Sequence, residues 1–181
     1  MSPASNAAPA FLVLTVIGDD RPGLVGELAA VVAEHHGNWL ESSMAQLAGK
    51  FAGIVKIGVA HAHAAKLQQA LLKINQLKIT VEVSESSQLV LATRRLKLAL
   101  VGNDRIGIVK EVSQVLARHA VNVESLDTHT SSAPMSADTL FHAVAELTAA
   151  AALDASALTR ELERISNDLM VDITLDESIS H

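Results

Sequence analysis

The sequence predicts an α+β protein made of two β-α-β-β-α-β modules, and three observations predict it. The first is a repeat. Val16-Ile17-Gly18-Asp19-Asp20-Arg21-Pro22-Gly23-Leu24-Val25 returns as Leu100-Val101-Gly102-Asn103-Asp104-Arg105-Ile106-Gly107-Ile108-Val109, with one constant offset, that from Gly18 to Gly102, throughout. The second is hydrophobic periodicity, which switches between strand-like and helix-like spacing in the same order in both halves. The third is punctuation, because glycines and polar clusters fall where those periods change.

In the first half, the apolar run Phe11 to Ile17 has strand length and reads as a central strand buried on both faces. After the turn, Leu24, Val25, Leu28, Val31, Val32 and His35 fall on one helical face, with Glu27 and Glu34 opposite and Gly37 as the C-terminal stop. Pro22 suits the first turn of that helix. Asn38 to Leu47 and Phe51 to Ala60 read as strands around a tight turn at Ala48-Gly49-Lys50. Ala64 to Gln76 reads as a helix with Leu67, Leu71 and Ile74 inward. Lys78 to Val83 alternates as a strand with one wet face.

The second half repeats this order. Leu96 to Val101 is a strand. Ile108, Val109, Val112, Val115, Leu116 and His119 form a helix face, each at the repeat offset from its counterpart. Val121 to Thr130 is a strand, Ser131 to Ala137 a loop containing Pro134, and Thr139 to Leu147 a strand. Asp154 to Asp168 is a helix with Leu158, Leu162 and Ile165 inward, and Leu169 to Leu175 is the last strand. The resulting domain plan is a flexible tail at 1–10, a module at 11–84, a Ser-rich linker at 85–93 and a module at 94–176. The β-α-β-β-α-β order implies a ferredoxin-like sandwich, a four-stranded antiparallel sheet with two helices on one face. The open face needs a cover, which points to module pairing or a homodimer.

Composition narrows the function. The chain of 181 residues is 49% hydrophobic but only 2% aromatic, so Leu, Val, Ile and Ala build its cores. It carries a net charge of −6 with scattered Lys and Arg, which argues against direct nucleic-acid binding. Without cysteine there is neither a disulfide nor thiol chemistry. No run is long enough to span a membrane and the N-terminus does not look like a signal peptide, so the expected location is cytoplasmic.

A turn of this kind sets bare backbone N–H groups at a helix start, where a carboxylate is readily held. Gly23 would allow close approach, Asp20 would hydrogen-bond the ligand, and backbone groups of Pro22 and Leu24 would line the site. The alternative is structural: Asp20 caps the helix and the glycines shape the turn. Arg21 and Arg105 could also form salt bridges across a module interface.

The Asp20-Arg21-Pro22-Gly23-Leu24 turn opening a β-α-β-β-α-β unit resembles the ACT domain, a small regulatory module that binds amino acids. Asp104-Arg105-Ile106-Gly107-Ile108 departs from that pattern in having Ile106 for proline. Asn38 follows Gly23 at the same spacing as Asn122 follows Gly107, where many family members place an asparagine beside the ligand. The resemblance implies ligand-binding residues Asp20, Arg21, Pro22, Gly23, Leu24 and Asn38, with Asp104, Ile106, Gly107, Ile108 and Asn122 in the second copy. Two such modules without an attached enzyme or DNA-binding domain resemble the glycine cleavage system transcriptional repressor group. That implies a small amino acid ligand of the glycine or serine class and a protein partner such as a transcription activator, with no cofactor.

Two alternatives stay open: a regulatory subunit of an amino-acid metabolic enzyme, and a ligand-free interaction scaffold. The pairs His61/His63 and His35/His36 raise a metal site, but no cysteine or spaced carboxylate accompanies them, and His61-Ala62-His63 reads as solvated loop. No nucleophile–base pair or phosphate loop supports an enzyme.

Overall fold

The computed structural model describes residues 10–84, 93–133 and 138–178. It forms two compact units that divide between residues 88 and 89. Most of the expected tail and linker lies outside the described residues, as does Pro134.

The first module runs β1 (Ala10–Asp19), α1 (Leu24–Glu34), β2 (Asn38–Leu47), β3 (Lys50–Val59), α2 (His61–Leu71) and β4 (Leu77–Ser84). The second runs β5 (Thr93–Asn103), α3 (Ile108–Arg118), β6 (Asn122–Ser132), β7 (Thr139–Ala150), α4 (Ala155–Leu169) and β8 (Val171–Ser178). Each sheet is antiparallel and four-stranded, in the orders β2-β3-β1-β4 and β6-β7-β5-β8. This is the ferredoxin-like arrangement that the order of elements predicts. The repeat extends to an irregularity: β2 bulges between Trp39 and Glu41, and β6 bulges at the equivalent place, between Val123 and Ser125.

The core lies between sheet and helices. In the first module Leu12, Leu14 and Val16 of β1 meet Leu24, Leu28 and Val32 of α1 and Leu67 and Leu71 of α2. The expectation that β1 is buried on both faces is corrected. Phe11 and Val13 are half-buried and Ile17 is exposed, because both helices lie on the other face. A central strand of a two-layer sandwich keeps one face open however apolar it is.

Three local readings also change. His61 and His63 form the first turn of α2, not a loop, and α2 ends at Leu71 rather than Gln76. The alanine-rich stretch after Ala60 carries the helix start upstream. The chain leaves the helix early so that Leu77 can pair opposite Gly18. The left-handed residue after α1 is His36 (φ 60°), not Gly37. Gly37 N–H donates to the Val32 carbonyl at 2.8 Å, and a Cβ there would meet Val32 Cγ1 at 2.9 Å. Finally, Ser131 and Ser132 belong to β6, so the loop before β7 is shorter than expected.

Candidate functional site

Gly18 and Gly102 open the repeated turns, and sheet packing explains both. A Cβ on Gly18 would lie 2.7 Å from Leu77 Cδ2 and 2.8 Å from the Gln76 carbonyl oxygen, and one on Gly102 would overlap Val171. The second glycine of each turn has a different role. Gly23 (φ 93°) and Gly107 (φ 101°) are the N-caps of α1 and α3 in the left-handed region that glycine enters without strain. Neither helix has a side-chain cap. The Gly23 carbonyl accepts from Glu27 N–H at 2.9 Å, and Gly107 repeats this with Glu111. Ahead of that bond, the N–H groups of Leu24, Val25 and Gly26 have no partner among the described residues. The structural alternative, with Asp20 as the cap, is therefore corrected: Gly23 holds the cap position and Asp20 lies before it in the turn.

The turn is anchored from below. Asp20 N–H donates to the Gly49 carbonyl at 3.0 Å at the β2–β3 hairpin, and Asp104 N–H donates to the Thr139 carbonyl at 2.8 Å at the start of β7. Ala48 and Gly49 both take positive φ (50° and 77°), the geometry of a two-residue hairpin turn. Asp20 and Pro22 are exposed, Leu24 and Ile108 are buried, and Ile106 is fully exposed.

The arginines pair within their own modules. Arg21 Nη2 meets Glu27 Oε2 at 2.7 Å, and Arg105 Nη2 meets Glu111 Oε1 at 3.3 Å. The first of these hydrogen bonds holds the Glu27 carboxyl below the usual carboxylate range and raises Arg21. Sequence reasoning missed Glu27 and Glu111 as the arginines' partners, although the Arg-to-Glu spacing is identical in the two copies.

The asparagines stand elsewhere. Asn38 pairs with Gly58, which also pairs with Phe11 near the start of β1, whereas the turn follows Asp19 at its end. Most of a strand's length separates the two, about 26 Å at the usual rise per residue. Asn122, opposite Thr148, has the same relation to the second turn. Asp20, Arg21, Pro22, Gly23 and Leu24 thus form one site, Asp104, Ile106, Gly107 and Ile108 another, and neither module brings its own asparagine to its own turn.

Among the described residues no group of three or more His, Cys, Asp or Glu converges to hold a metal. His63 instead packs against His36, ring centroids 4.7 Å apart. No helix among the described residues is long and apolar enough to cross a membrane.

An ACT domain model matches residues 10–84. A UPF0237 protein of Methanopyrus kandleri is 36% identical over 66 residues, covering 35% of this chain and 73% of that protein. The chain belongs to the ACT-domain family. An unknown protein from Galdieria sulphuraria superimposes with a TM-score of 0.85 at 29% identity, over 94% of this chain and 99% of that one. A candidate glycine cleavage system transcriptional repressor superimposes at 0.69 and 19% identity, over 96% and 100% of the two chains. Both solved chains share the tandem of two modules, and at 19% identity the second likeness is one of fold.

Proposed function

We propose that this chain is a non-catalytic regulatory protein that senses a small amino acid, glycine or serine in class, and passes the signal to a protein partner. The observation that carries this reading is the doubled helix start, left-handed glycine caps with free N–H groups facing an exposed turn. Such a start favours a carboxylate by dipole and hydrogen bond together. Asp20 and Asp104 supply a counter-charge for the ligand's ammonium group.

Because Asn38 and Asn122 lie a strand's length from their own turns, a site using both turn and asparagine needs a second module or a second chain. The open sheet faces suit that pairing: Ile17 and Ile54 in one module and Val144 in the other are exposed apolar residues there. In this reading the protein is a cytoplasmic homodimer. Ligand at the junction stabilises one packing, to the extent that it binds that packing better than the alternative. The effect on transcription runs through an activator protein, since a net charge of −6 with scattered Lys and Arg argues against direct nucleic-acid binding.

Calorimetric titration with glycine, serine and the other amino acids tests this. Saturable heat is expected for one small amino acid and is lost in Asp20→Ala. Gly23→Asn, which tolerates the left-handed cap, keeps the fold while crowding the site. Silence across all amino acids defeats the sensor reading.

A further inference from the structure

Each module has a groove between its two helices, and the two grooves are filled differently. In the second module Glu161 of α4 sits among basic side chains: its Oε1 accepts from Arg118 Nε at 3.0 Å, its Oε2 meets His119 Nε2 at 2.8 Å, and Arg164 Nη2 lies 3.7 Å away. The Arg118 hydrogen bond, then that of His119, holds the Glu161 carboxyl below the usual range. This groove carries its own carboxylate.

The first module builds the same groove without one. Val31, His35, Lys66, Gln69, Ala70 and Lys73 line an open cleft of about 410 Å³. His35 is the counterpart of His119 at the repeat offset. Its Nδ1–H donates to the Val31 carbonyl at 2.9 Å, and Nε2, the nitrogen that meets Glu161 in the other copy, has no partner among the described residues. Aligning the buried pair Leu67 and Leu71 with Leu158 and Leu162 puts Ala70 in the place of Glu161 and Lys73 in that of Arg164. From His61 to Gln76 there is no Asp or Glu at all. On α1, Glu34 stands where Arg118 does, and among the described residues it makes no ion pair with Lys66 or Lys73.

We propose that this cleft binds a small dicarboxylate, with one carboxylate on His35 Nε2 in the place Glu161 occupies in the second module, and Lys66 and Lys73 balancing its charge. A single carboxylate leaves one lysine uncompensated. Lys66 and Lys73 lie two helical turns apart in sequence, about 10 Å along α2 and the turn after it, a span that a four- or five-carbon diacid matches. With Nδ1–H committed to Val31, Nε2 donates to a carboxylate only when the imidazole is protonated. The charges around that ring are Lys66 and Lys73 across the groove and Glu34 beside it. The cleft lies at the C-terminal end of α1, a helix length from the turn, so Asp20→Ala leaves it intact and the two sites fail independently.

The test is titration of the full chain with succinate, with acetate as the monocarboxylate control, followed by calorimetry and by the NMR pH titration of the His35 ring. Succinate is expected to bind saturably, to move the ring's titration upward, and to exceed acetate by about tenfold. Lys66→Gln and Lys73→Gln each weaken binding about fivefold, as for one exposed charge pair. Ala70→Glu, which supplies the carboxylate in the chain, abolishes it. If that variant does not fold, the double variant Lys66→Gln/Lys73→Gln, at two exposed positions, decides alone. No saturable response, equal binding of acetate, or unchanged affinity in the lysine variants overturns the proposal.

Discussion

The two modules share a topology, a bulge and a turn, yet differ in how they fill the space between helix and sheet. In the first, Trp39 packs against the core with its Nε1–H donating to Ser42 Oγ at 3.2 Å, and Val55 sits fully buried opposite Leu14. In the second, the matching positions are Val123 and Ala145, the latter opposite Leu98. The lost volume remains as an apolar cleft of about 40 Å³ beside α3, bordered by Val109, Leu126 and Phe141 among others. The comparison teaches that duplication preserves backbone geometry, set by turns and register. Volume and charge are free to diverge wherever a neighbouring side chain can compensate.

Four variants break or sharpen this comparison. Val55→Ala, which gives the first module the second's smaller residue, is expected to cost about 2 kcal/mol through lost burial and the cavity left behind. Denaturant unfolding measures it, and a cost near zero would mean the first core is as loosely filled as the second. Gly18→Ala is expected to cost about 1–2 kcal/mol because its Cβ meets Leu77 and the Gln76 carbonyl. A neutral Gly18→Ala in the same assay would show that the close approach can relax.

The reverse exchange, Ala145→Val, fills the second module's cleft and is expected to stabilise it by about 1 kcal/mol. A lowered melting temperature would show that the cleft belongs to a packing that cannot accept the added carbons. The smallest effect is electrostatic. Glu161 titrates lower in the folded chain than unfolded, so its contribution is present above the ordinary carboxylate range and is lost as pH falls through its folded value. Glu161→Gln should therefore lower the melting temperature near neutral pH, with the gap closing on acidification. A gap that stays constant with pH would assign the effect to packing instead.

Much of this was legible in the residues. The repeat of Gly18 to Val25 at Gly102 to Val109, the inward stripes Leu24/Leu28/Val32 and Leu158/Leu162/Ile165, and the alternation of Lys78 to Val83 all placed their elements. Periodicity and turn chemistry are local, and each needs only a short stretch of chain to read. The sequence alone therefore determined two modules, their order of elements and the turn at the head of each first helix.

The tertiary structure decided the rest. It assigned Gly18 to sheet packing and Gly23 to the left-handed cap, two roles that the letter G does not separate. It set Arg21 against Glu27, carried Asn38 to the far end of the sheet from the turn, and left His35 facing a groove whose counterpart is closed by Glu161. These depend on which residues distant in the chain become neighbours in space. That is settled by strand register and helix packing across the whole module, quantities no short window of sequence contains.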